Sequence, residues 1–247
     1  MRRYTLTLLY ACSLIFAQVA LADRAADFEL FKAAKAGDLG KVVAVLKQGA
    51  SVKARNRFGN TALLLAARSG NAEVVRTLVK AGADVNTPNL KRISPLSAAV
   101  YLGDQPTVRL LLDHGADPGI IDITGKTAMV YAAAHGSNTL VKWLLAAGVD
   151  INARYRNDLT ALMWAAGYGH AATVDLLLAS GADVSLRDNR GRSALMTAAE
   201  NGQKETVESL LEHGARATKT DTAGKTAADL ARAAGHPEIA SLLEGLA

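Results

Sequence analysis

Beyond the first twenty or so residues, apolar positions come in short bursts separated by polar turns, and the bursts repeat in phase along the chain. One period shows the pattern. Thr61 reads as a helix cap, because its hydroxyl can accept from backbone N–H groups that have no partner inside the helix. An alanine-rich helix follows from Ala62 to Ser69 and stops at Gly70, a residue that can take the left-handed conformation ending a helix. A second helix begins near Glu73, carries Val74, Val75, Leu78 and Val79 at helical spacing, and ends at Gly82. An extended turn segment then leads to Ser94, where Pro95 occupies the first helical position, at which a missing N–H costs nothing.

This unit recurs at a constant step, the distance from Thr61 to Ser94, in four separate registers. The caps are Thr61, Ser94, Thr127, Thr160, Ser193 and Thr226. One glycine series runs Gly37, Gly70, Gly103, Gly136, Gly169, Gly202, Gly235, and a second runs Gly49, Gly82, Gly115, Gly148, Gly181, Gly214. Alanines keep the same step at Ala33, Ala66, Ala99, Ala132, Ala165, Ala198 and Ala231, as a position where two helices approach closely would need. A single unit cannot bury its apolar face, so the units must stack into one continuous core. Turn glycines stand at Gly59, Gly125, Gly191 and Gly224, but Arg92 and Asp158 interrupt that series, which predicts two distorted turns.

The repeated hexads Thr61-Ala62-Leu63-Leu64-Leu65-Ala66, Ser94-Pro95-Leu96-Ser97-Ala98-Ala99 and Thr160-Ala161-Leu162-Met163-Trp164-Ala165, with the Gly82-Ala83-Asp84-Val85-Asn86 tail, resemble ankyrin repeats. The resemblance covers about residues 28 to 244. It implies an all-α solenoid of stacked helix-turn-helix units with projecting β-turn or hairpin loops, starting near 28, 61, 94, 127, 160, 193 and 226. The family's signature histidine is absent, replaced by Leu64, Ser97, Val130, Met163, Met196 and Asp229. Apolar contact should therefore stand in for its hydrogen bonding in several units. The end units read as polar caps: Phe28 and Glu29 stand where Thr and Ala or Pro stand elsewhere, and Asp229, Arg232 and Glu244 replace apolar positions.

The first residues have another character. Arg2 and Arg3 precede an apolar stretch from Tyr4 to Leu21 that ends in Ala20-Leu21-Ala22, the anatomy of a secretory signal cleaved before Asp23. Residues 23–27 would then form a short lead, and the working chain would hold no cysteine, since Cys12 is the one present. Leu9-Tyr10-Ala11-Cys12 weakly resembles a lipoprotein cleavage box, although Tyr10 is bulky for it. This pattern predicts an exported protein of bacterial type, in the periplasm or secreted, with no stable membrane insertion after cleavage.

Composition sharpens the picture at three points. Aromatics at 5% within 50% hydrophobic content mean a core of small side chains. One cysteine excludes a disulfide scaffold and a cysteine-based zinc site. The formal charge of +5 is modest but unevenly placed. The six turn segments hold 14 basic and 8 acidic residues, whereas the rest of the chain after residue 22 holds 12 and 15. Lys53, Arg55, Arg57, Arg187, Arg190, Arg192, Arg216 and Lys219 could steer an acidic partner. Interleaved acids dilute the field too much for nucleic acid.

No catalytic, metal or cofactor constellation stands out. Gly119 and Gly125-Lys126-Thr127 miss phosphate-loop spacing by one residue, and Gly191-Arg192-Ser193 and Gly224-Lys225-Thr226 fill the same register as plain turns. His114, His135, His170, His213 and His236 make no ligand pair at helical spacing. Trp164 and Trp143 read as packing residues.

The resemblance instead implies a non-enzymatic, monomeric scaffold that binds proteins through its turn tips and the exposed side of each first helix. Carried over unit by unit, the contact positions are Arg57, Phe58, Arg68, Leu90, Lys91, Ile93, Tyr101, Leu102, Ile123, His135, Arg156, Leu159, Tyr168, Arg190 and Arg192, with Asn60, Lys126 and Glu200 among their neighbours. Apolar anchors beside Arg and Tyr make up the composition of interface hot spots. Ile93 and Leu159 alternatively pack only against the next turn. Accessory factor or inhibitor of an exported enzyme, and secreted effector binding a host protein, are the competing functions.

Overall fold

The computed structural model describes residues 24–245. The expected signal sequence and its cleavage point lie outside these residues. Fourteen α-helices follow one another in seven antiparallel pairs, with no strand among the described residues. The first pair is a helix over 24–36 (α1) with Leu39–Lys47 (α2), so residues 24–27 are already helical. Then come Ala62–Arg68 (α3) with Ala72–Lys80 (α4), Pro95–Leu102 (α5) with Gln105–Asp113 (α6), and Ala128–Ala134 (α7) with Asn138–Ala146 (α8). The remaining pairs are Ala161–Gly167 (α9) with Ala171–Ala179 (α10), Ala194–Glu200 (α11) with Lys204–Glu212 (α12), and Ala227–Ala233 (α13) with Pro237–Glu244 (α14).

The caps form where the pattern places them. Side-chain oxygens of Thr61, Ser94, Thr160, Ser193 and Thr226 accept from the backbone N–H three residues on, each such cap contributing about 1 kcal/mol. Thr127 makes no such bond. Thr226 and Asp229 complete a reciprocal capping box, so the hydrophilic substitute for the signature residue in the last unit acts locally. Leu64, Val130, Met163 and Met196, the apolar substitutes, are buried, and packing replaces hydrogen bonding there as anticipated, whereas Ser97 accepts from the Ser94 hydroxyl at 3.1 Å.

First helices stack on first helices, and second helices on second helices, to give two parallel layers with one continuous core. The first-helix layer is the more closely packed. Its inward positions are alanine, as at Ala66, Ala99, Ala132, Ala165 and Ala198, all fully buried, and a methyl group lets backbones approach where leucine would not. The second layer meets through larger side chains such as Leu78, Leu111, Leu144, Leu177 and Leu210. A tight inner row beside a looser outer row curves the stack, leaving the first helices and the turn tips on the concave side.

Gly136 shows why the first glycine series is held. Its φ is +66°, and a Cβ there would lie 2.6 Å from Nδ1 of His170 in the next unit. Both the left-handed backbone and the neighbour's ring exclude a side chain. His170 in turn bonds the Ala134 carbonyl at 2.8 Å, tying the fifth unit to the fourth.

Candidate functional site

Each turn between units closes as a small hairpin. Asn56, Asn89, Asp122, Asp188 and Asp221, spaced by one or two repeat steps, accept through one side-chain oxygen from the backbone N–H groups two and four residues on. This shared acceptor fixes the hairpin much as a backbone turn would. The carboxylates at these sites are not available to a partner. Asp122 illustrates the balance: burial alone would raise its carboxyl, but hydrogen bonds from Tyr131, Thr124 and the Lys126 and Thr124 N–H groups outweigh that and hold it below the usual range. Tyr131 is pushed up to about 12, first by burial and then by the Asp122 carboxylate that its hydroxyl bonds.

Neighbouring tips are also linked. The Leu90 N–H donates to the Phe58 carbonyl, Ile123 to Lys91, Asn189 to Asn157 and Thr222 to Arg190, all at 3.0–3.1 Å. Arginines add a second stitch, for Arg55, Arg154 and Arg187 each donate to a carbonyl one unit ahead, on Pro88, Arg187 and Thr220. Arg55 and Arg187, expected as steering charges, are thus tied into the turns.

The turn glycines Gly59, Gly125, Gly191 and Gly224 have φ between +73° and +81°. Arg92 adopts φ +58° and keeps the same hairpin, so its turn is strained yet ordinary in shape. The turn at Asp158 departs further. Asn157 and Asp158 both lie at positive φ, and the chain makes a short 3₁₀ turn over Arg156–Asp158. Tyr155 stands where the other turns have Asn or Asp.

The contact positions divide into three groups. Phe58, Leu90 (70% exposed), Tyr101 (61%), Leu102, Ile123 (60%) and Tyr168 (57%) are large apolar or aromatic residues left open. They share the concave side with the exposed Arg57, Arg68, Lys91, His135 and Arg156. The Arg57 guanidinium lies 4.7 Å from the centroid of the Phe58 ring. Ile93 and Leu159 are half-buried, and Leu159 packs against the core. Arg190 stays exposed but pairs with Asp188 at 3.1 Å. Arg192 is turned inward, its side chain 15% exposed and paired with Glu200 and with Asp221. It joins the fifth turn to the sixth rather than reaching outward, and Glu200 is its partner. Asn60 is buried, accepting from Asn89 at 2.9 Å.

In the middle of the concave side the structure assembles a group that repeat position alone did not disclose. Tyr101 meets Tyr131 edge-on at 5.4 Å and His135 at 5.1 Å. Trp164 stacks on Tyr168 at 6.2 Å, and Tyr168 on His170 at 6.4 Å. The Lys126 ammonium lies between the two sets, 5.7 Å from the Tyr131 centroid and 5.1 Å from that of Trp164. Tyr101, Tyr131, His135, Trp164 and Tyr168, with Lys126, line a cleft of about 250 Å³. A second cleft of about 240 Å³ adjoins it along Tyr155, Arg156, Asn157 and Leu159, and Lys126 and Trp164 line both. Trp164 was expected to pack between helices, and it is half-buried against the core, but its ring also walls the clefts. Its indole Nε1 is buried and finds no hydrogen-bond partner. Trp143 lies on α8, half-buried on the core with Arg109 5.7 Å above its ring.

Comparison with known proteins agrees with this architecture. The family described as "Ankyrin repeats (3 copies)" matches residues 30–122, 96–188 and 162–245. Among solved structures, the human ASB11 ankyrin repeat domain superposes with a TM-score of 0.79 at 27% identity, covering 87% of this chain and 97% of that one. No curated protein matches the chain. Seven stacked helix pairs, the repeating glycine registers and these matches lead to one conclusion: the chain belongs to the ankyrin repeat family.

Proposed function

We propose that this protein is a non-enzymatic scaffold, acting as a monomer outside the cytoplasm, that binds another protein along its concave side from the second unit to the fifth. One observation carries the reading. Large apolar and aromatic side chains at Phe58, Leu90, Tyr101, Ile123 and Tyr168 stay open to solvent beside unpaired cations, although the core needs none of them. Open patches of this kind mark interaction sites. Such repeats serve as protein-interaction scaffolds.

Export rests on the basic, apolar and small-residue pattern from Met1 to Ala22. Among the described residues no helix is long and apolar enough to cross a membrane. Both parts of the proposal can be read from one preparation, the chain purified under mild conditions from the exported fraction of its own cells. N-terminal sequencing should begin at Asp23, and a second protein should co-purify at fixed stoichiometry. An intact Met1 form confined to the cytoplasm would contradict export. A chain that emerges alone from crosslinked and uncrosslinked cells would contradict the scaffold reading.

A further inference from the structure

The fourth turn tip, at Tyr155, differs from all the others. At the remaining hairpins an Asn or Asp oxygen occupies the N–H groups two and four residues on, but Tyr155 has no such oxygen, and the Asn157 N–H group has no acceptor among the described residues. The tip-to-tip bond is also missing here. By the register of Ile123 with Lys91 and Asn189 with Asn157, the Arg156 N–H should meet the Thr124 carbonyl, and it does not. Two successive donors of one hairpin, the Arg156 and Asn157 N–H groups, therefore stand open beside a cleft. Successive N–H groups in a turn that visits the left-handed region favour an anion.

Charge points the same way. Arg57, Lys91, Arg92, Lys126 and Arg156 form no salt bridge among the described residues. Asp122 is buried and fully engaged, leaving Asp158 as the exposed acid of these tips. Lys126 is held over two rings by cation–π contacts worth about 0.5–1 kcal/mol at an exposed site, weak enough to yield to a carboxylate.

Resting on the scaffold reading, we propose that the cleft between the third and fourth tips receives an acidic segment of the partner protein. A carboxylate sits against Lys126, Arg156 and the open N–H groups, and an adjacent apolar or aromatic side chain lies against Trp164 and Tyr131. A nucleic-acid strand fits less well. Base stacking needs open ring faces, whereas Tyr168 is stacked between Trp164 and His170, and Lys126 covers Trp164.

The two tryptophans allow a direct test by NMR of the purified chain. Trp143 on α8 is the internal control, and Trp164→Phe assigns the other indole signal. The probes are three degenerate pools of short peptides with the same Leu, Phe and Tyr content, one rich in Asp and Glu, one in Lys and Arg, one in Ser and Gln, together with a short oligo(dT). The acidic pool should move the Trp164 signal and spare Trp143. Lys126→Gln and Arg156→Gln together should weaken the response about tenfold while leaving circular dichroism unchanged. An acidic pool that leaves Trp164 unmoved, or a stronger response to the basic pool or the oligonucleotide, overturns the proposal. Amide shifts at Leu90 or Ile123 with Trp164 silent would overturn the acidic cleft and keep the scaffold reading. Silence across the whole concave side with every peptide pool would remove both.

Discussion

Replacing Ala132 by leucine should destabilise the chain by roughly 1–3 kcal/mol, the usual cost of forcing extra methylenes into a filled core. Ala132 is fully buried on α7, which packs against α5 on one side and α9 on the other. A larger side chain must push on both neighbours, because stability in a stacked solenoid resides in the contacts between adjacent units. Ala146→Leu on α8, at an exposed position, is the matched control and should stay within about 0.5 kcal/mol of wild type. Urea or thermal melting decides it. Equal curves for wild type and Ala132→Leu would show that the alanine register does not set the spacing of the inner layer.

The fold could be read from the chain because almost everything that defines it is local and repeated. Cap, alanine, glycine and turn each recur at the same step, and each acts within its own unit or on the next one. The interruptions at Arg92 and Asp158 were equally readable, and both residues do adopt positive φ. What could not be read was the direction in which long side chains turn. Arg192 stands at a tip in the sequence, yet two carboxylates from different segments draw it inward. Tyr131 and Trp164 lie one repeat apart in a register of variable size, and nothing in their spacing shows that Lys126 joins them. One signal was present and would have led to the cleft. The Asn and Asp series of the turns fails at Tyr155, in the same turn in which the glycine series fails at Asp158.

The second large effect concerns binding. Tyr101→Ala combined with Tyr168→Ala should weaken the partner by at least about 2 kcal/mol, or roughly thirtyfold in Kd. Both rings are more than half exposed, and each is anchored by a neighbour, Tyr101 by Tyr131 and His135, Tyr168 by Trp164 and His170. Aromatic residues held in this way lose little freedom on contact, which is what makes them effective anchors. The fold should survive, since neither ring belongs to the buried core. Calorimetric titration with the co-purified protein, alongside circular dichroism, measures the loss. Arg190→Ser should do less to affinity and act mainly on association rate and its salt dependence, because its charge is exposed and already shared with Asp188.

If the concave side is the binding surface, site-specific photocrosslinking in the native cells should capture the partner there. A benzophenone side chain is placed at Tyr168 in one chain and at Glu208, exposed on the outer helix α12, in another. Position 168 should yield one discrete crosslinked protein, reduced when Tyr101 is also changed to Ala, and position 208 none. The same adduct from position 208 with nothing from position 168 would place the partner on the convex side and rule out a concave binding surface.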